Sequence, residues 1–277
     1  MTGSFKIAVL AAQKRCQEVV EAFLRSGGHI SGNKVTYRDL ILPRRLFTGG
    51  NLAGVGFLRA LGDYGVQIDT ETQIATISLP NGLRFEADDG RLSDTLCMLV
   101  ERFVDEEYAW LDVEGHVVID VGANIADSVL YFAHRGAAYV YGYEPDSAAF
   151  VAATRNITLN NAGGVSVTQA AVVGRDHHGG EPSVTFSKVV GTAVREHPGV
   201  PIVCKIDCEG CEYELLAAES LVETDLRNVT QLMIEYHWRP PGPITNALEE
   251  IGFAVETATG SPGVGWIRAH RLAGTGA

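Results

Sequence analysis

The sequence predicts an α/β protein, a doubly wound and mostly parallel sheet preceded by an N-terminal α+β segment, and three observations carry that prediction. The first is a set of short, almost wholly apolar runs: HVVIDV at 116–121, AYVYGYE at 138–144, PIVCKID at 201–207 and QLMIEYH at 231–237. That is the texture of parallel strands buried on both faces. The second is helical spacing over 126–135, 147–160, 211–217 and 244–251, so that strands and helices alternate. The third is the pair FAVETA and VGWIRAHR, joined across GSPG at 260–263. A turn that short rules out a parallel crossover and makes the pair antiparallel.

The chain ahead of this pattern has a different texture. A helix is expected over 13–25, stopped by Gly27 and Gly28, and a second over 52–61. VQIDTETQIATISLP (66–80) and LRFEA (83–87) read as two strands joined by a two-residue hairpin at Asn81-Gly82. Ser93 or Asp94 is expected to cap a helix whose apolar face holds Leu96, Leu99, Val100 and Phe103. Residues 1–110 thus read as a segment that caps a substrate site or builds a homo-oligomer, and residues 111–277 as the ligand-binding domain.

Of 277 residues, 46% are apolar, enough for a large core. Twenty-two basic against 34 acidic side chains give a net charge of −12, which repels phosphate backbones and anionic membranes. Nucleic acid and membrane are therefore not expected partners, and the basic cluster RDLILPRR (38–45) reads as a solvated loop. No run approaches the roughly 20 apolar residues of a membrane span. IAVLAA at 7–12 is also short for a secretory signal core, so a cytoplasmic location is expected. The five cysteines read as reduced thiols.

Ligands of such sheets lie at the carboxyl ends of the strands. IDVGANIADS (119–128) leaves a strand and opens a helix there. Gly122 permits a tight turn, and Asn124 with the first helical N–H groups can face a polar ligand. Glu144 ends the next strand, placed to accept both hydroxyls of a ribose, with Pro145 fixing the turn behind it. A dinucleotide pyrophosphate wants three glycines, and GANIA has one. Asp120 would repel a diphosphate, whereas it suits the ammonium group of S-adenosylmethionine. An NAD(P)-dependent oxidoreductase is the alternative reading, and a non-catalytic nucleoside-binding module a third.

VVIDVGANIADSVLYFA, YGYEPD, NITLNN, KIDCEGCEYELL and IEYH occur in this order, and together they resemble the FkbM family of S-adenosylmethionine-dependent methyltransferases over residues 83–277. The resemblance implies the Rossmann-like class I methyltransferase fold, a seven-stranded sheet whose final strand is antiparallel. It also implies methylation of hydroxyl oxygens on sugars or small metabolites. Carried over by position, it implies cofactor contacts at Asp120, Gly122, Ala123, Asn124 and Glu144, with Asp127, Ser128 and Pro145 beside them. Ala126 departs from the family, which usually has glycine there. The adenine is expected near Gln169 and Ala170, and Asp207 at the same edge. Asn156 and Asn160 share a helix face, and Asn160 reads equally as a helix-ending cap.

VCKIDCEGCEYELL (203–216) carries two overlapping patterns, thiols at Cys204, Cys208 and Cys211 and carboxylates at Asp207, Glu209, Glu212 and Glu214. An iron–sulfur cluster needs thiolates converging from a loop, but Cys204 lies along a strand, so the carboxylates make better sense. A zinc site would need a fourth ligand such as His237, which nothing in the spacing demands. Glu235 and His237 alternate on one side of their strand. His237 is the expected general base for a hydroxyl acceptor, Glu235 its orienting partner or a substrate contact, and Glu209 a further catalytic candidate. Glu212 reads equally as a helix-start acid. Asp207 with Glu235 could serve a divalent metal, although none is required. The expected acceptor is a small hydroxylated metabolite or a glycan.

Overall fold

A computed structural model describes residues 27–37, 40–43, 65–69, 74–88, 91–175, 182–217, 226–261 and 263–272, together with positions 21, 24, 25, 71, 72 and 221. The helix expected over 52–61 lies outside the described residues, as does most of the one over 13–25. The chain divides into two compact units, Met1–Glu107 and Tyr108–Ala277.

In the first unit, β1 (His29–Ser31), β2 (Lys34–Tyr37) and β3 (Leu40–Pro43) form one antiparallel sheet. A second contains β4 (Gly65–Ile68), β5 (Ala75–Ser78) and β6 (Arg84–Ala87), and α1 (Leu92–Phe103) follows it. The alternating run 66–80 is two strands rather than one. Asp69 Oδ1 accepts the N–H groups of Glu71 at 2.8 Å and Thr72 at 3.0 Å, an Asx turn that folds β4 back on β5. The hairpin loop also has three residues rather than two. Leu79 N–H donates to Leu83 O, and Gly82 N–H returns to Leu79 O. Pro80 starts a type I turn and Gly82, with φ +90°, takes the left-handed place after it. Neither Ser93 nor Asp94 caps α1. It begins at Leu92, which is fully buried, and Thr95 N–H already bonds to Arg91 O.

The second unit runs β7 (Val117–Val121), α2 (Asp127–His134), β8 (Tyr139–Tyr143), α3 (Ser147–Leu159), β9 (Val165–Thr168), β10 (Ala171–Val173), β11 (Ser183–Thr185), α4 (Phe186–Glu196), β12 (Ile202–Ile206), α5 (Glu212–Leu215), β13 (Val229–His237), α6 (Gly242–Glu250), β14 (Phe253–Ser261) and β15 (Val264–Arg271). Seven strands form one sheet in the order β9-β8-β7-β12-β13-β15-β14. Pairings are parallel from β9 to β13, and β15 is antiparallel to both neighbours. This is the class I methyltransferase, Rossmann-like sheet. Strand order reverses between β7 and β12, and the crevice at their carboxyl ends is where such sheets bind ligands.

Two elements were not legible in the sequence. β9 ends at Thr168, where Ala170 N–H turns back to Thr168 O, and β10 leaves the main sheet to pair in parallel with β11. The 174–188 region, which carries no motif, supplies β11 and the start of α4, capped by Thr185 Oγ1 on Lys188 N–H.

β7 and β12 are buried throughout. Val117, Ile119 and Val121 share a core cluster with Ile202, Cys204, Ile206 and, from α4, Phe186, Val189 and Val190. Strand alternation sends Asp120 and Lys205 to the opposite face. They are register partners across β7 and β12, and Lys205 Nζ stands 3.0 Å from Asp120 Oδ1.

Gly122 follows β7 with φ +83°, and a Cβ placed on it would lie 1.8 Å from Asp207 O. Asp207 N–H donates to Val121 O, so the two chain ends are in direct contact. The glycine is therefore required by the protein's own backbone rather than by a ligand. Gly122→Ala is expected to lower stability by about 3 kcal/mol or more in urea denaturation, since it combines a left-handed φ with a backbone overlap. A loss below about 1 kcal/mol would contradict this packing.

Candidate active site

The sequence-predicted residues line one edge of the sheet. From β9 inward come Gln169 and Ala170, then Glu144 after β8, the 122–126 turn after β7, Asp207 after β12, and Glu235 and His237 at the end of β13.

The turn is bound more tightly than expected. Gly122 N–H and Ala123 N–H both donate to Tyr143 O at 3.0 Å. Asn124 N–H donates to Glu144 Oε2, and Asp146 N–H to Glu144 Oε1, both at 2.8 Å. Asn156, fully buried on α3, donates from Nδ2 to Ile125 O, and Asn160 is the C-cap of that helix. Ala126 is left-handed, with φ +66°, and is fully buried. Its strain of about 1–2 kcal/mol is offset in part by burial of a methyl group, about 0.8 kcal/mol. Burial pushes the Glu144 carboxyl above its ordinary value, against the pull of the Asp146 and Asn124 N–H groups. Each Glu144 oxygen has a second lone pair for an incoming hydroxyl.

Asp120 does not present a carboxylate to a ligand. It is fully buried, with Oδ2 accepting Ser128 Oγ–H at 2.6 Å and Oδ1 facing the Lys205 ammonium. Lys205, 1% exposed, also donates to Gly122 O at 2.6 Å and stands 3.9 Å from Asp207 Oδ2. Its Nζ lies 5.7 Å from the centre of the Tyr108 ring. The expected pairing of Asp120 with a cofactor ammonium is thus replaced by an internal one. The signal was present, because a lysine and an aspartate each interrupt an otherwise apolar strand, and buried charges require partners. Ser128 and Asp127 are buried as well, while Pro145 is exposed.

The second correction concerns the partner of His237. Glu212, not Glu235, backs the imidazole. Glu212 is fully buried and accepts His237 N–H at Oε1 (2.7 Å) and Gly210 N–H at Oε2 (2.8 Å). The same Oε1 lies 3.4 Å from His237 Nδ1. Nε2 points the other way, 3.9 Å from Asp207 Oδ1 and 3.9 Å from Glu209 Oε2. The Glu212 carboxylate raises the His237 pKa over the opposing effect of burial, and Glu209, Glu235 and Asp207 add to it. Burial pushes Glu212 up, but His237 and the surrounding N–H donors outweigh it and hold Glu212 below its ordinary value.

The cysteines differ from expectation. Cys208 and Cys211 form a disulfide, their Cα atoms 5.5 Å apart, well inside the range a bridge requires. Cys97 and Cys204 are free, with Cys204 fully buried in the β12 core. The bridge spans Glu209 and Gly210, both with positive φ. Three thiolates therefore do not converge on one point. No helix among the described residues is long and apolar enough to cross a membrane.

No protein-family model matches the chain, and no curated protein sequence matches it. Among solved structures it is similar to magnesium protoporphyrin IX methyltransferase from Synechocystis PCC 6803, crystallised with S-adenosylmethionine, at 16% identity over 65% of this chain and 83% of that one, TM-score 0.42. A ribosomal-protein methylase from Lactobacillus delbrueckii subsp. bulgaricus gives 16%, 65%, 80% and 0.40. A precorrin-6y methyltransferase from Geobacter metallireducens GS-15 gives 14%, 61%, 88% and 0.40. Likeness at that level assigns neither a substrate nor a residue role.

The Glu212–His237 contact has a definite pH window. Glu212, held low, stabilises the fold above its ordinary 4.5 and loses this as pH falls through its folded value. His237, held high, stabilises below its ordinary 6.5 and loses this as pH rises through its folded value. In ligand-free protein, Glu212→Gln is expected to cost about 2 kcal/mol, with the gap widest between the two ordinary values. A gap independent of pH from 4 to 9 would show that the carboxylate serves the backbone N–H groups alone.

Proposed function

We propose that the chain is an S-adenosylmethionine-dependent methyltransferase acting on a hydroxyl oxygen of a small metabolite or sugar. One observation carries the cofactor: Glu144, at the end of the second strand from the switch point, reaches the glycine turn directly, 2.8 Å from Asn124 N. A ribose set against Glu144 is then beside the turn over which a methionyl group would run. The amides of residues 122, 123 and 124 are all engaged internally, which leaves no cradle for a pyrophosphate and disfavours NAD(P). Adenine beside Gln169 and Ala170, and the sulfonium toward Asp207, complete the pose.

The acceptor belongs at the β12–β13 end of the edge. Trp238 is 72% exposed there, immediately after His237, and is held at φ +65° by its N–H bond to Gly263 O. A large exposed indole in a strained backbone is unusual and suits stacking against the apolar face of a sugar ring or a comparable metabolite. The acceptor oxygen attacks the methyl carbon as the sulfur–carbon bond breaks. Its proton passes to an acid at this end of the edge, such as Glu209, or to solvent, and S-adenosylhomocysteine leaves. Alignment of the reacting atoms within about 3–3.5 Å supplies much of the rate.

Calorimetry is expected to show S-adenosylhomocysteine binding that Glu144→Gln weakens at least tenfold, with no competition from NAD or NADP. Labelled methyl transfer into hydroxyl compounds then tests turnover, and Trp238→Ala is expected to raise KM for the acceptor alone. Binding of a nicotinamide cofactor with none of S-adenosylhomocysteine would overturn the assignment. Binding without transfer across an acceptor panel would favour a non-catalytic module.

A further inference from the structure

We propose that Asp207, Glu235 and His237 form a binding site for a divalent first-row transition-metal cation at the acceptor end of the sheet edge. One ligand atom from each of the three lies within 4.8 Å of the other two. The donors come from the carboxyl ends of neighbouring parallel strands, Asp207 directly after β12 and Glu235 and His237 on one side of β13.

His237 points to a cation rather than to a cluster of acids alone. The side chain is about nineteen-twentieths buried, with Nδ1 enclosed against Glu212, and Nε2, the nitrogen that faces the acids, makes no hydrogen bond among the described residues. Were Nε2 protonated, a carboxylate facing it would close to about 2.7–2.9 Å. Instead Asp207 and Glu209 both stand off at 3.9 Å. Two ligands of one ion, each about 2.0–2.2 Å from it, sit at most about 4.4 Å apart, so the 3.9 Å gap between Nε2 and Asp207 Oδ1 fits a shared cation.

The surroundings fix each donor. Glu212 Oε1 faces Nδ1 at 3.4 Å, which favours the proton on Nδ1 and leaves the Nε2 lone pair aimed into the cluster. Lys205 attracts the other oxygen of Asp207, Oδ2, which directs Oδ1 toward His237. One imidazole nitrogen with two carboxylates suits Mn²⁺, Co²⁺ or Zn²⁺ better than Mg²⁺ or Ca²⁺, whose ligands are oxygens. The role of the ion in catalysis rests on the methyl-transfer reading above, although its binding does not. Coordination would acidify an acceptor hydroxyl: the O–H bond breaks, the proton leaves to Glu209 or solvent, and the oxygen attacks the sulfonium methyl. His237 is then a ligand, not the free base expected from its sequence position.

Mn²⁺ is the probe, because it is paramagnetic and the free thiol of Cys97 would complicate a zinc titration. Protein stripped with EDTA and titrated with MnCl₂ by electron paramagnetic resonance is expected to bind one ion per chain. His237→Ala and Glu235→Gln should each weaken binding at least tenfold, and Glu212→Gln by a smaller factor, with S-adenosylhomocysteine affinity retained as the control for folding. No Mn²⁺ binding by the native chain up to millimolar concentration overturns the proposal, as does binding that none of these substitutions changes. S-adenosylhomocysteine binding without Mn²⁺ binding removes the metal site and leaves the methyl-transfer reading standing. The reverse result removes the methyl-transfer reading alone.

Discussion

The Lys205–Asp120 ion pair is the constraint on which the rest of the second unit depends. Two charges sit side by side in the two most buried strands of the sheet, where either one alone would be costly. The lysine also ties the Gly122 carbonyl and stands near Asp207, so one ammonium joins the turn after β7 to the chain leaving β12. Gly122 then packs against the Asp207 backbone with no room for a side chain. The crevice at the switch point is held rigid from below, and its rim is left for ligands.

A second buried carboxylate does the same for the other half of the edge. Glu212 joins the 208–211 loop to the end of β13 through the Gly210 and His237 N–H groups. Asp120 and Glu212, the two most buried acids at the edge, are thus scaffold. Asp207, Glu209 and Glu235 are more exposed to solvent. This division follows from charge burial: an acid with no access to water is kept only where internal donors satisfy it. It also means that the turn after β7 offers no phosphate cradle, since its amides are already bonded to Tyr143 O and Glu144.

Much of this architecture was legible in the sequence. The apolar runs at 116–121, 138–144, 201–207 and 231–237 hold the buried parallel strands, the last of which begins two residues earlier than its run, and the short GSPG link required the antiparallel pair at the sheet's edge. The glycine turn and Glu144 meet as their spacing predicts. What was hidden depended on neighbours distant in sequence. Lys205 reads as an anomaly in IVCKI until β7 is placed beside β12, and the choice between Glu212 and Glu235 as partner to His237 depends on where a short helix turns. Local turn chemistry was also underread, since Asp69 ended a strand that alternation alone would have continued and Pro80 enlarged the hairpin loop. The Cys208–Cys211 bridge needed the actual Cα separation.

The most direct test is a double-mutant cycle on Asp120 and Lys205, using Asp120→Leu, Lys205→Met and both together, read by urea denaturation and by S-adenosylhomocysteine affinity. The account predicts that each single change costs about 3–5 kcal/mol by leaving a buried charge alone, and that the double change recovers much of that stability. Cofactor affinity should nevertheless stay low in the double variant, because the turn has lost its tie to β12. Additive losses of stability, or a double variant that binds S-adenosylhomocysteine as the native chain does, would contradict it.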